Sequence, residues 1–250
     1  MILYYENLDS TNQHAKKLLL TRQVVPTVIC AWRQSAGKGQ HGRSFTSPRG
    51  GLYFSVIASP PLVQSDFPLI TLAVGLACRE VLSAMCRIDI SIKWPNDLYI
   101  TNKKVAGILC ETVPHLVDAA FQPVVIIGVG INVNNSIIDF PAEIQPLITT
   151  LWDQASTRFD LPELLNALIS SIHRQIAELK SSKSSMLKQW QQYDLFYMRN
   201  LIATLPSTSI TGQGLGIDQD GRYRLRDEAG VVHALMGGQL RLLSPAPFSD

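Results

Sequence analysis

Apolar residues recur along this chain with two periods, and the switches between them lay out its elements. Short β-branched runs at 2–5, 27–32, 52–57 and 88–93 read as strands, and the longer runs at 105–112 and 123–133 read as two more. Between them, Leu69, Leu72, Ala73, Leu76, Ala77, Val81 and Leu82 fall on one 3.6-residue stripe, which predicts a helix over 65–85. The polar cluster Asp9-Ser10-Thr11-Asn12 consists of helix-capping types and precedes a short helix over 14–20, and 161–179 and 186–193 read as two further helices. Beyond Met198 the pattern changes to short alternating runs at 202–205, 212–217, 223–226 and 231–235, separated by Asp220-Gly221, Ala229-Gly230 and Gly237-Gly238. Short strands with tight turns predict a small β-barrel there.

Composition narrows the class without naming a function. With 250 residues, 46% hydrophobic and 17% charged, the chain can bury one sizeable core and a small second domain. A net charge of +2 and the absence of a Lys/Arg block give no argument for a nucleic-acid partner. The amino terminus carries neither a basic leader nor an apolar stretch of signal length, and no run approaches the roughly 18 uninterrupted apolar residues of a membrane span. Cys30, Cys78, Cys86 and Cys110 sit singly in apolar surroundings, which predicts reduced thiols in a cytoplasmic protein, without a disulfide framework or zinc site.

Candidate chemistry lies in polar islands set among the apolar runs. The stretch AGKGQHGRSF at 36–45 spells G-x-G-x-x-G directly after a strand. A dinucleotide fingerprint also needs a helix opening on its last glycine and an acid about 20 residues on. Here Pro48, Gly50 and Gly51 forbid a regular helix and no acid follows until Asp66, so the Rossmann reading fails. What is left is a long basic loop that offers N–H groups and cations to an anion. Lys93-Trp94-Pro95-Asn96-Asp97 stops a buried strand, Lys104 begins a run otherwise built for the core, and Gly128 and Gly130 thin a strand that ends on Asn132 and Asn134. Each island has a plain alternative: a helix cap at Ser10-Thr11-Asn12, a solvated loop at 36–45, a snorkelling strand-end lysine at Lys104. Together they supply cations (Lys38, Arg43, Lys93, Lys104), one carboxylate suited to a metal (Asp97) and neutral amides (Asn12, Gln34, Asn96, Asn132). That inventory suits a reaction in which the protein positions two anions and forms no covalent enzyme intermediate, such as attack of a carboxylate on a nucleotide phosphate.

These motifs, in this order, resemble those of the biotin protein ligases, and the resemblance runs from the first residues to the carboxyl terminus. It implies an α+β fold: a mixed β-sheet packed by helices over 1–197, and a small SH3-like β-barrel over 198–250 containing Gly237-Gly238-Gln239. It implies activation of biotin by ATP with Mg²⁺ to biotinyl-5′-adenylate, then transfer to a lysine of the biotin carboxyl carrier protein of acetyl-CoA carboxylase or a related carboxylase. Neither a nucleic acid nor a membrane is an expected partner, and the chain is expected as a monomer or homodimer. By the same resemblance Ser10, Thr11, Asn12, Gln34, Lys38, Gly39 and Gln40 contact biotin, with Gly107, Gly128 and Gly130 giving backbone close approach. Lys104 is the central catalytic cation, beside biotin carboxylate and α-phosphate, with Arg43 on phosphate. Phe45, Lys93, Asn96 and Asn132 serve ATP, and Asp97 holds the metal.

The chain departs from the family pattern where the loop commonly reads G-R-G-R, since Lys38 and Gln40 replace both arginines. Lysine keeps the charge without the guanidinium fork, and glutamine keeps hydrogen bonding alone. A less electropositive lid should hold the adenylate less tightly, so Gln40→Arg is expected to slow adenylate release, and equal rates in variant and parent would refute the idea. Phe45 stands where tryptophan is frequent, and Gln239 where glutamate is. Because the catalytic motifs begin almost at Met1, the chain is expected to lack the amino-terminal winged helix, and the repressor activity, of many bacterial relatives. Two rivals stay open: a lipoate or octanoate ligase or transferase, and a biotin-binding module without catalysis.

Overall fold

Seven strands form one mixed sheet in the computed structural model, which describes residues 1–21, 27–117 and 120–243. Across the sheet the order is β1 (Ile2–Tyr5), β2 (Val28–Ala31), β3 (Leu52–Ala58), β7 (Ala120–Ile131), β6 (Lys103–Val117), β5 (Asp97–Ile100) and β4 (Ser91–Lys93). β1 and β2 pair in parallel and every other pair is antiparallel.

Alternation along these strands decides what each face does, because successive side chains point to opposite sides. Val125, Ile127, Val129 and Ile131 of β7 join Leu52, Phe54 and Val56 of β3 in the main core, together with residues of α2 (Phe67–Cys86) and α4 (Leu161–Gln192). The intervening Val124 and Ile126 meet Ala15 and Leu19 of α1 (Thr11–Leu20) on the other face. Gly128 and Gly130 continue this second set, so they open the α1 face while the core face stays filled. The ladder then aligns two rows on the opened face. One runs Lys93, Asp97, Gly107, Gly130, Tyr53, and the next runs Leu109, Gly128, Ser55.

α2 is the stripe helix expected over 65–85, and its segment Gln64–Cys86 is long and apolar enough to cross a membrane by length and composition. Thr71, Arg79, Glu80 and Ser83 interrupt it, so no uninterrupted apolar run reaches span length, and its burial gives the reason for the apolarity: Leu69, Ile70, Ala73, Leu76 and Ala77 are core residues. The two helices expected over 161–179 and 186–193 both fall in α4, which is broken between them by non-helical backbone at Ser182 (φ −145°) inside the polar run 180–185. Asp160 caps it, its Oδ1 accepting the Glu163 N–H at 2.8 Å.

A second, antiparallel sheet has the order β11 (Val232–Leu235), β10 (Tyr223–Arg226), β9 (Ser209–Ile217), β8 (Asn200–Thr204), β12 (Gln239–Leu242), and among the described residues its end strands β11 and β12 do not pair. Its docking holds the turn at 94–97 from behind. Trp94 Nε1 donates to the Gly221 carbonyl at 2.9 Å, and the Trp94 and Tyr223 rings lie 5.7 Å apart. Tyr223 donates its hydroxyl to Asp194 at 3.0 Å, where burial pushes the carboxyl up to about 6. The chain at 193–195 exchanges main-chain hydrogen bonds with Ile92 of β4, so the linker between the sheets is itself paired to the edge of the first.

Candidate active site

Lys93, Asp97, Gly107 and Gly130 of the first row and Leu109 and Gly128 of the second floor a cavity of about 390 Å³. Ser10, Thr11 and Asn12 at the start of α1 form one wall, the loop residues Lys38–Phe45 cover it, and Thr204, Leu205, Pro206, Gly238, Gln239 and Leu240 of the second sheet close the far rim. Gln34, Lys38, Gly39, Gln40, Arg43, Phe45, Lys93, Asn96, Asp97, Lys104, Gly107, Gly128 and Gly130 all line it, so nearly every residue singled out from the sequence converges here.

Asn132 is the exception. Expected against the adenosine, it lies outside the cavity lining, 3% exposed, and donates its Nδ2 to the Thr149 carbonyl at 3.1 Å. Its main chain accepts from Leu151 at the start of α3 (Leu151–Ala155) and donates to Val105, so it ties the end of β7 to its neighbours. Asn96 lines the cavity and also supports the fold, because its Nδ2 donates to the Ile108 carbonyl at 2.8 Å and sews the turn to β6.

Electrostatically the cavity is cationic. Lys38, Arg43, Lys93 and Lys104 reach it, and Asp97 is the one acidic side chain in its lining. Lys104 Nζ lies 2.7 Å from Asp97 Oδ1, yet that buried oxygen has no aligned hydrogen-bond donor. Burial holds the Lys93 ammonium below its usual range, against the upward pull of Asp97, and its Nζ sits 5.3 Å from the Tyr99 ring centre and 5.6 Å from that of Phe196. Lys38 and Arg43 are exposed and take part in no ion pair among the described residues. A space that holds four cations and one carboxylate suits a polyanion. Among the described residues no group of three or more His, Cys, Asp or Glu is placed to hold a metal. A lone carboxylate with one unsatisfied oxygen fits Mg²⁺ only in the way that ion often binds, through one or two carboxylates and the substrate's own phosphates.

The wall at Ser10-Thr11-Asn12 is more than a helix cap. Ser10 holds the N-cap position of α1 but its side chain makes no capping bond. Thr11 N–H donates to Gln34 Oε1 at 2.8 Å, and Asn12 Nδ2 donates to the Leu109 carbonyl at 3.1 Å and to Glu111 Oε2 at 2.9 Å. Ser55 Oγ lies 2.7 Å from Thr11 Oγ1 and 2.6 Å from Asn12 Oδ1. Ser55 and Glu111 were not among the residues singled out from the sequence. A fully buried serine inside the apolar run LYFSVIA is the signal that marks the first, and the parity of Glu111 with Gly107 and Leu109 along β6 marks the second.

The strand glycines make room, but for this chain's own side chains. A Cβ on Gly128 would stand 2.2 Å from Asn12 Oδ1, and one on Gly130 would stand 2.6 Å from Phe45 Cε1. A Cβ on Gly107 would stand 3.1 Å from Lys104 Nζ and 3.2 Å from the Phe45 ring. The close approach expected of a ligand is therefore made by Asn12 and Phe45, because the loop lays the phenyl ring across the glycine row. That loop is a narrow hairpin: Gln34 N–H donates to Ser47 O, Phe45 N–H to Gly37 O and Gly39 N–H to Arg43 O. Gly37 packs where a Cβ would stand 2.3 Å from the Phe45 carbonyl, and Gly42 turns the tip with φ +75°. Two of the three loop glycines are thus required by the shape of the hairpin itself.

Residues 4–132 match the model of the biotin/lipoate A/B protein ligase family. The chain is 30% identical over 234 residues to the bifunctional ligase/repressor BirA of Bacillus spizizenii, covering 92% of this chain and 70% of that protein. It is 27% identical over 207 residues to the biotin–[acetyl-CoA-carboxylase] ligase of Mycobacterium tuberculosis, covering 79% and 72%. In structure it is similar to the biotin protein ligase from Aquifex aeolicus in complex with biotin and ATP, with a TM-score of 0.82 at 28% identity over 97% of this chain and 99% of that one.

Proposed function

The chain belongs to the biotin/lipoate A/B protein ligase family, and from that footing we propose that it activates biotin with ATP and passes the biotinyl group to a biotin carboxyl carrier protein. The observation that carries this reading is the convergence of Lys38, Arg43, Lys93 and Lys104 around the single carboxylate of Asp97, beside a polar slot at Thr11 and Gln34. Cations gathered in one half-enclosed space lower the repulsion between a carboxylate and a triphosphate, which is what keeps these two anions apart in water.

In the first half-reaction an oxygen of the biotin carboxylate attacks the α-phosphorus, and the bond from that phosphorus to the β-phosphate bridging oxygen breaks. Lys104 Nζ stabilises the charge that gathers between them, and Arg43 and Lys93 share the triphosphate. Asp97 is the residue that would hold Mg²⁺ with the phosphate oxygens, and the bound ion would neutralise the leaving pyrophosphate. In the second, the carrier lysine's neutral amine attacks the acyl carbon, AMP leaves and the amine gives up a proton as the amide forms. We read residues 1–197 as the catalytic domain and 198–250 as an SH3-like domain that closes its rim, with 244–250 outside the described residues.

Incubating the protein with ATP, Mg²⁺, labelled biotin and a carrier domain tests the reading. Label is expected on the carrier with one pyrophosphate released per biotin. Transfer of lipoate but not biotin overturns it in favour of a lipoate ligase, and biotin binding without pyrophosphate release overturns it in favour of a non-catalytic module.

A further inference from the structure

Hydrogen-bond direction in the wall of the slot can be followed from proton counts, and it ends on a residue with no assigned role. Asn12 Nδ2 faces two groups that can only accept, the Leu109 carbonyl at 3.1 Å and Glu111 Oε2 at 2.9 Å. Both amide protons are thereby used and the orientation of the carboxamide is fixed, with Oδ1 toward Ser55. Glu111 is itself held, its Oε1 2.7 Å from Lys16 Nζ. Ser55 has one proton and two oxygen neighbours, Asn12 Oδ1 at 2.6 Å and Thr11 Oγ1 at 2.7 Å. Asn12 Oδ1 has no proton to give, so Ser55 must donate to it. The contact with Thr11 can then be a hydrogen bond only if Thr11 is the donor. Its one alternative acceptor within the protein, Gln34 Oε1, is longer at 3.3 Å.

The same counting fixes Gln34. Ser47 spends its proton on the Phe45 carbonyl at 2.9 Å, so Gln34 Nε2 donates to Ser47 Oγ at 2.9 Å and Oε1 faces Thr11 N–H. One Nε2 proton of Gln34 has no acceptor within the protein among the described residues. The slot therefore presents Thr11 Oγ1 as an acceptor and Gln34 Nε2 as a donor.

We propose that Ser55 is a positioning residue that fixes Thr11 as a hydrogen-bond acceptor, so that the slot selects a cyclic urea by one of its N–H groups. This rests on the reading of biotin as the substrate: the urea carries two N–H donors and a carbonyl acceptor, which match Thr11 and the free proton of Gln34. Ser55 is 0% exposed and lies outside the cavity lining; it acts by consuming the Thr11 proton that would otherwise point at the ring N–H.

Isothermal titration of biotin and steady-state kinetics on Ser55→Ala, Ser55→Cys and Thr11→Val test this. Ser55→Ala is expected to raise the Kd for biotin about tenfold, the size of one hydrogen bond, with KM for ATP and kcat at saturating biotin unchanged. Ser55→Cys, which keeps the shape and a weak donor and acceptor, should recover part of that loss. Adding Ser55→Ala to Thr11→Val should cost less than the sum of the two single losses, because only the bond that Ser55 donates to Asn12 is then left to lose. Equal and additive losses in the double variant, a Kd unchanged in Ser55→Ala, or losses in ATP affinity as large as those in biotin affinity would each overturn the proposal. Failure of the parent itself to bind biotin would instead defeat the reading of the substrate, and the same titration shows it.

Discussion

Lys104→Ala is expected to abolish adenylate formation while leaving the protein folded. Removing a preorganised charge that stabilises a transition state typically costs about 3–4 kcal/mol, a factor of 10²–10³ in rate, and the loss should be at the upper end because Lys104 faces both reacting anions at once in the proposed mechanism. Its Nζ is 2.7 Å from Asp97 Oδ1, with the two side chains 27% and 20% exposed, so the substitution also leaves a carboxylate without its cation. Solvent reaches that pair, and the stability lost should therefore be small beside the loss of rate. The measurement is pyrophosphate release at saturating ATP and biotin, with thermal unfolding on the same preparation. Lys104→Arg separates charge from placement, since the planar fork keeps the charge but moves it. It should recover biotin and ATP binding more than it recovers kcat. Near-normal turnover in Lys104→Ala would remove this residue from the mechanism.

Why Lys104 is legible in the sequence while parts of its surroundings are not follows from range. Lys104 and the turn at 93–97 are conspicuous because charge interrupts an apolar run, a signal local in sequence. The strand β5 is four residues long and begins on the turn's own Asp97, too short for a period of two to declare itself. β12 alternates, but it directly follows Gly237-Gly238, so its four residues merge with the end of the last turn. The break in α4 is legible, because its polar run separates the two apolar stretches where the backbone leaves the helix at Ser182. Asn132 lies outside the cavity lining for a different reason. Two residues past Gly130 it has left the ladder, its main chain bonded to Val105 and Leu151 and its side chain to the Thr149 carbonyl, residues that only the tertiary fold brings near. Ser55 and Glu111 are the reverse case: their parity is readable along β3 and β6, but it becomes meaningful only when cross-strand register sets Ser55 opposite Gly128 and Glu111 beyond Leu109.

That register makes Gly128→Ala the most informative single methyl. Its Cβ would fall 2.2 Å from Asn12 Oδ1, 2.8 Å from Cγ and 2.9 Å from Nδ2, against the whole carboxamide. A long side chain could swing its tip away, but Asn12 is held by Leu109, Glu111 and Ser55. The strand cannot retreat, because β7 is paired along both edges, to β3 and to β6. Asn12 must therefore leave its seat, stranding its partners Glu111 and Ser55, and overpacking with lost hydrogen bonds together should cost about 2–4 kcal/mol. The same movement unseats Thr11 one residue earlier, so the KM for biotin should rise by about 100-fold or more, on the scale of two to three kcal/mol. Gly237→Ala is the matched control, since its Cβ would meet nothing within 4 Å among the described residues, and it should unfold and bind biotin like the parent. Thermal denaturation and biotin titration across these variants decide the matter. If steric conflict with Asn12 is the cause, Asn12→Ala should be destabilising alone yet recover stability when added to Gly128→Ala, a coupling that independent sites would not show. Parent-like stability and biotin affinity in Gly128→Ala would mean that the clasp around Asn12 does not hold the wall in place.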